Sequence, residues 1–66
     1  MKNSDVEMIT LQYDYMKRKS VEAWLLVFDR KQAWLAESIC EINTKDRTID
    51  VPVWLAEKYG IEAYEA

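Results

Sequence analysis

The chain has 66 residues, of which 50% are hydrophobic, and its formal net charge is −3. A domain of this size buries only roughly 60% of the surface that its unfolded chain exposes, so its core depends on large side chains, here three Trp, four Tyr and one Phe. The single cysteine excludes an intramolecular disulfide, and the lack of histidine excludes a zinc site with Cys and His ligands at the usual spacing.

Residues 7–16 carry two competing patterns. The spacing of Ser4 and Glu7 is that of a capping box, which would suit a helix. Against it, large apolar residues alternate with polar ones, at Ile9, Leu11, Tyr13 and Tyr15. Because alternation among strand-forming residues is typical of a half-buried strand, we predict a strand over residues 7–16.

Residues 21–28 give the strongest strand pattern. One face would hold Val21, Ala23, Leu25 and Val27, and the other Glu22, Trp24, Leu26 and Phe28. Both faces are apolar except at Glu22, which is typical of a strand that is central or covered on both sides. Residues 29–31 are predicted to form a tight hairpin turn, and residues 32–36 the returning strand.

The middle of the chain continues in short alternating stretches. A bend at Glu37 and Ser38 precedes a predicted strand over residues 39–42, and the polar residues 43–47 have the composition of a hairpin loop. Residues 48–51 alternate again, with Ile49 and Val51 predicted to point inward.

The C-terminal part is predicted to hold one short helix. Pro52 is suited to the start of a helix and Gly60 to its end. The side chains expected to dock this helix are Val53, Trp54, Leu55 and Tyr59, and residues 61–65 are predicted as a closing strand. The elements together predict a mainly β (α+β) fold, a small SH3-like or OB-like curled sheet or barrel of four or five strands with one short C-terminal helix.

Three motifs in this order resemble small proteins of phages and prophages. They are Ala23-x-Leu25, Trp34-Leu35-x-x-Ser38-Ile39, and Ile49-x-Val51-Pro52-x-Trp54-Leu55-Ala56-x-Lys58-x-Gly60. The similarity covers about residues 9–61, with two departures: Ala36 stands where that pattern usually has Pro, and residues 29–31 lack its usual turn Gly. The resemblance implies a compact β-domain of mobile-element origin, and it implies no activity.

Catalytic groups are scarce in this chain. Without histidine, general acid–base chemistry would fall to carboxylates, Lys or Tyr, and Cys40 would have no imidazole to activate it. The carboxylates form no evident pair, and Cys40 has the surroundings of a small buried hydrophobic residue. We therefore predict that the protein is not an enzyme and has no catalytic, metal or cofactor-binding residues.

Two kinds of binding site are compatible with the sequence. The leading hypothesis is a protein partner, met by the acidic C-terminal half and an exposed aromatic, with the predicted contacts Glu41, Asp46, Asp50, Glu57 and Trp34. Given the resemblance, that partner would be a host defence complex inhibited by occlusion, in an anti-CRISPR-like manner. A homodimer is also expected from exposed aromatics and sheet edges.

The alternative is a small barrel that binds single-stranded nucleic acid. Stacking aromatics and neighbouring cations are typical of such sites, and the candidates here are Tyr13, Tyr15, Lys17, Arg18, Lys19 and Trp34. The acidic net charge favours the protein partner over this alternative. A structural or oligomerising subunit is the third hypothesis.

Size and hydropathy also bear on domain organisation and location. With one Gly, one Pro and no low-complexity stretch, residues 1–66 are predicted to be a single domain with residues 1–5 frayed. The apolar run from Trp24 to Phe28 is far shorter than the ~18–20 residues that cross a bilayer, and the N-terminus is polar. A cytoplasmic protein that does not bind membranes is therefore expected.

Overall fold

The computed structural model describes residues 7–66 as six strands, one α-helix and one turn of 3₁₀ helix. They are β1 (Met8–Gln12), β2 (Tyr15–Lys19), β3 (Ala23–Phe28), β4 (Lys31–Ala36), β5 (Glu41–Asn43), β6 (Thr48–Pro52), α1 (Val53–Tyr59) and the 3₁₀ turn Glu62–Tyr64. The mainly β fold with a short C-terminal helix is confirmed, although six strands replace the predicted four or five. The predicted fraying of residues 1–5 lies outside the described residues.

The strands form two antiparallel sheets of three strands each. The order is β1-β6-β5 in what we call the first sheet and β2-β3-β4 in the second sheet. No β-ladder joins the two sheets within residues 7–66, so in this part of the chain no closed barrel is found.

The chain passes from the first sheet to the second at Tyr13 and Asp14. The backbone N–H of Tyr13 donates to the Arg47 carbonyl over 3.0 Å, whereas the N–H of Asp14 donates to the Val27 carbonyl over 2.7 Å. Adjacent residues are therefore bonded to different sheets. The strand predicted over residues 7–16 is correct in its extended backbone and wrong in its continuity, because this crossing divides it into β1 and β2.

The second sheet has β3 at its centre, as predicted. Every residue from Trp24 to Phe28 is buried, so both faces of this strand are covered. The strand begins at Ala23 rather than Val21, which is 91% exposed. The reason is a turn in which the Ser20 hydroxyl oxygen accepts the Ala23 N–H over 3.0 Å.

The core lies between the sheets and the C-terminal segments. Its largest fully buried side chains come from both sheets and from the chain after α1: Leu11, Leu26, Phe28, Leu35, Ile49, Val51 and Ile61. The inward positions predicted for Ile49 and Val51 are confirmed, and so is the buried position of Cys40, which is 5% exposed.

Helix α1 begins after Pro52 and ends at Gly60, as predicted. Gly60 has a φ of 68°, in the left-handed region, and its N–H donates to the carbonyl of Glu57. The predicted docking residues need correction. Leu55 and Ala56 are buried, whereas Trp54 is 54% exposed and Tyr59 38%.

Two further predicted strands differ in the structure. Of residues 39–42, Ile39 lies in a turn and is exposed, and β5 extends over Glu41–Asn43, because only these residues pair with β6. Residues 61–65 form the 3₁₀ turn, with a single bridge between Leu11 and Glu65 in place of a closing strand. The Tyr64 ring then packs 5.8 Å from that of Phe28, which fixes this segment to the core.

Candidate functional site

Charged residues are separated by sheet. The strands of the second sheet hold four cations and no acid: Lys17, Arg18, Lys19 and Lys31. The strands of the first sheet hold two acids and no cation, Glu41 and Asp50. The structure thus presents two chemically different surfaces, one for each kind of site that the sequence suggested.

Three of the predicted protein-contact residues lie together at the first sheet. Glu41 on β5 is directly opposite Asp50 on β6, and Asp46 lies in the turn that joins these strands. Asp50 accepts a hydrogen bond from the Thr10 hydroxyl, and Asp46 from the Asn43 side-chain amide over 3.2 Å. The other two lie elsewhere. Glu57 is on α1, and Trp34 is on the second sheet.

An open groove lies where the first sheet meets the start of α1. It has a volume of about 530 Å³ and is lined by Met8, Glu37, Ser38, Ile39, Cys40, Glu41, Pro52 and Trp54. Trp54 is 54% exposed, and Met8 and Ile39 are also exposed. We refer to these eight residues as the Trp54 groove.

Local structure explains why these apolar side chains are not buried. Met8 on β1 pairs with Pro52 on β6, and α1 starts at once after Pro52, which brings Trp54 beside Met8. On the side of the groove opposite Met8, the Ile39 N–H donates to the Ala36 carbonyl over 3.2 Å. This hydrogen bond closes a tight turn in which the Ile39 side chain is exposed to solvent. The acidic residues Glu37 and Glu41 line the same groove.

Cys40 contributes a nearly buried thiol to the groove. Burial raises the pKa of this thiol from 9.0 to about 11, because the apolar surroundings disfavour the thiolate. At neutral pH the side chain is therefore a neutral, apolar part of the groove wall rather than a nucleophile.

The predicted nucleic-acid residues are brought together only in part. Four of them share the second sheet's outer face, the face turned away from the core: Tyr15, Lys17, Arg18 and Trp34. Tyr13 is 3% exposed and belongs to the core, and its burial raises the pKa of its phenol despite the opposing effect of Arg47. Lys19 pairs with Trp24, whose side chain belongs to the core face.

A β-bulge gathers the two cations on the outer face. Met16 pairs with Leu26 and Arg18 with Leu25, so Lys17 is an extra residue in β2. Leu26 belongs to the core cluster and Leu25 does not, which places Arg18 on the outer face. Lys17 is there too, because its ammonium donates to the side-chain oxygen of Gln32 over 3.4 Å, and Gln32 pairs with the outer residue Val27.

Sequence reasoning did not select Trp54 for either site. The signal was present in α1, whose seven residues include five apolar ones, Val53, Trp54, Leu55, Ala56 and Tyr59. A helix of about two turns packed against one sheet cannot bury apolar side chains on every side. Which of them remains exposed depends on how the helix is set on β6.

Comparisons with known protein families, with curated proteins and with solved structures gave no match. Over residues 7–66, no helix is long and apolar enough to cross a membrane. In the same part of the chain, no three carboxylate or thiol groups converge as a metal site would require.

Proposed function

We propose that this protein is a non-enzymatic module that binds a protein partner through the Trp54 groove. The observation that carries this proposal is the half-exposed Trp54 beside the exposed Met8 and Ile39, in a groove that also holds two carboxylates. Large aromatic side chains at the centre of a concave apolar surface are typical of the few residues that dominate binding energy in protein interfaces.

The chemistry of the groove indicates what the partner surface would present. An apolar side chain would enter between Trp54 and Ile39, and flanking Lys or Arg residues would meet Glu37 and Glu41. Asp50 lies opposite Glu41 and extends the acidic surface beyond the groove. Glu41 and Asp50 remain contacts to the protein partner in this proposal, while Trp54 replaces Trp34 as the aromatic anchor.

The biological setting of the proposal comes from the resemblance to phage and prophage proteins. In that setting the partner is a complex of the host, the protein acts in the host cytoplasm, and binding inhibits a defence function by occlusion. The finer fold class, an SH3-like or OB-like small barrel, belongs to the same proposal. It is supported by the way that Tyr13 and Asp14 carry one extended segment from the first sheet into the second.

The test is a comparison of matched tryptophan variants in affinity capture from bacterial lysate, with the recovered proteins identified by mass spectrometry. Trp54→Ala should reduce recovery of one specific protein about thirtyfold, the loss expected for an aromatic hot spot. Trp34→Ala is the control, because it removes a tryptophan side chain from the second sheet, outside the groove. The double variant Glu37→Lys/Glu41→Lys should also abolish capture.

Two results would contradict the proposal. One is that the wild type enriches nothing over the untreated resin. The other is that Trp54→Ala recovers the same protein at the same level while Trp34→Ala does not, which would move the contact to the second sheet. Thermal unfolding of each variant checks that the exposed substitutions leave the fold intact.

A further inference from the structure

We propose that the outer face of the second sheet is a separate binding site for single-stranded nucleic acid. Tyr15 and Trp34 would stack on bases, and Lys17 and Arg18 would contact phosphates. This site shares no residue with the Trp54 groove, so the two proposals stand or fail independently.

The outer face of the second sheet carries one exposed aromatic side chain on each of its two outer strands. Tyr15, Val27 and Gln32 form one cross-strand row, and Arg18, Leu25 and Trp34 form the next. Tyr15 is 55% exposed and Trp34 45%, whereas Leu25 and Val27 between them are buried without joining the core cluster. The exposed rings of this face therefore belong to the two outer strands, with buried apolar residues on β3 between them, as in other sheets on which bases stack.

The spacing of the rings suits two bases rather than one. Tyr15 and Trp34 lie on the two outer strands, two strand spacings apart, and one row apart along the strands. With strands ~4.8 Å apart and a rise of ~3.4 Å per residue, their Cα atoms are about 12 Å apart. A strand of nucleic acid that crosses the sheet diagonally would meet both rings.

Charge complementarity selects a polyanion as the occupant. The strands of this sheet carry Lys17, Arg18, Lys19 and Lys31 and no carboxylate, although the whole chain is acidic. The bulge at Lys17 turns two of these cations to the same face as the aromatics. Because the net charge of the chain is −3, attraction of a polyanion would depend on these cations and not on the overall charge.

The experiment is a fluorescence-anisotropy titration of labelled, mixed-sequence DNA and RNA single strands of about 15 nucleotides, a length within the site sizes of such folds. Saturable binding is expected, and with two phosphate contacts the affinity should fall about sevenfold between about 50 mM and about 200 mM salt. Tyr15→Ala and Trp34→Ala should each weaken binding about tenfold, the loss of one stacked base. Unequal affinity for DNA and RNA would show which strand the face prefers.

The control variants separate this site from general electrostatics. Lys17→Ala/Arg18→Ala should abolish the salt dependence, while Lys45→Ala/Lys58→Ala, with the same charge change outside this sheet, should leave the affinity unchanged. A flat titration would overturn the proposal, as would equal losses in the two double variants. A concentration-dependent dimer in sedimentation that Trp34→Ala dissociates, together with a flat titration, would assign the face to a second copy of the chain.

Discussion

The carboxylate of Asp14 accepts a hydrogen bond from the backbone N–H of Asp29, with 2.9 Å between Oδ2 and N. Asp14 lies where the chain passes between the sheets, and Asp29 lies in the β3–β4 turn with a φ of 56°. A single side chain thus ties the crossing between the sheets to the hairpin turn, and it satisfies a donor in a backbone conformation that most residues avoid.

Removal of this carboxylate should destabilise the protein. We expect Asp14→Ala to lower the free energy of unfolding by about 1 kcal/mol, the net contribution of one such hydrogen bond. Asp14→Asn keeps an acceptor oxygen and should lose less than half of that. Urea denaturation measures both, and an Asn variant as unstable as the Ala variant would show that the hydrogen bond is not the cause.

Replacement of Arg47 by glycine should stabilise the protein. Arg47 has a φ of 58° in the β5–β6 turn, and the left-handed region costs a residue with a Cβ roughly 1–2 kcal/mol relative to the right-handed one. The greater freedom of glycine in the unfolded chain offsets part of this gain, so we expect Arg47→Gly to add about 0.5–1 kcal/mol.

The control for this effect is Arg47→Ala. It removes the weak bond from the guanidinium to the Asp14 carbonyl, 3.4 Å long, but keeps the positive φ. If the alanine variant gains as much stability as the glycine variant in thermal unfolding, relief of backbone strain is not the explanation.

Substitution of Gly60, unlike that of Arg47 by glycine, should destabilise the protein. Gly60 ends α1 with a φ of 68°, and a Cβ added there would lie 2.9 Å from the Lys31 ammonium. Because that ammonium is the mobile end of a long side chain, the backbone conformation dominates, and Gly60→Ala should cost about 1 kcal/mol. The double variant Gly60→Ala/Lys31→Met removes the crowding; if it restored full stability, crowding rather than φ would be the cause.

The buried thiol of Cys40 should give a pH dependence of known sign. The pKa of Cys40 is raised to about 11 in the folded protein from 9.0, so the folded state holds this proton more tightly than the unfolded state. The corresponding stability is complete below pH 9.0 and is lost as the pH rises through about 11.

Chemical denaturation of wild type and Cys40→Ala over this pH range isolates the effect, since Tyr and Lys titrations are common to both. We expect the wild type to lose stability relative to Cys40→Ala as the pH rises. A difference that is constant with pH would contradict a raised pKa. The folded thiol should also react slowly with a disulfide reagent at about pH 8.

The sequence predicted the residues that form strands better than it predicted where strands begin and end. Alternation from Ile9 to Tyr15 correctly indicated extended backbone, but it continues unbroken across the junction of β1 and β2. Alternation reports which side chains are apolar, and it does not report which neighbour accepts each N–H. The change of partner from Arg47 at Tyr13 to Val27 at Asp14 is therefore a tertiary feature.

The kinds of residue on the candidate surfaces could be predicted from the sequence, but which particular residues lie on each surface could not. An exposed aromatic was expected from the sequence, and the exposed fractions of the three tryptophans are 8% for Trp24, 45% for Trp34 and 54% for Trp54. Which Trp is exposed depends on strand register and on how α1 is set on β6. Lys17, Arg18 and Lys19 are consecutive in the sequence, but only the bulge at Lys17 shows which of these cations share a face with Tyr15 and Trp34.

Because the strands of the two sheets carry charges of opposite sign, they contribute an electric dipole to the domain. The strands that hold Glu41 and Asp50 form its negative end, and those that hold Lys17, Arg18, Lys19 and Lys31 its positive end. A dipole turns in the field of an approaching charged molecule before any contact forms. Partners of opposite sign would thus be turned toward different sheets during approach, and added salt would slow the arrival of both.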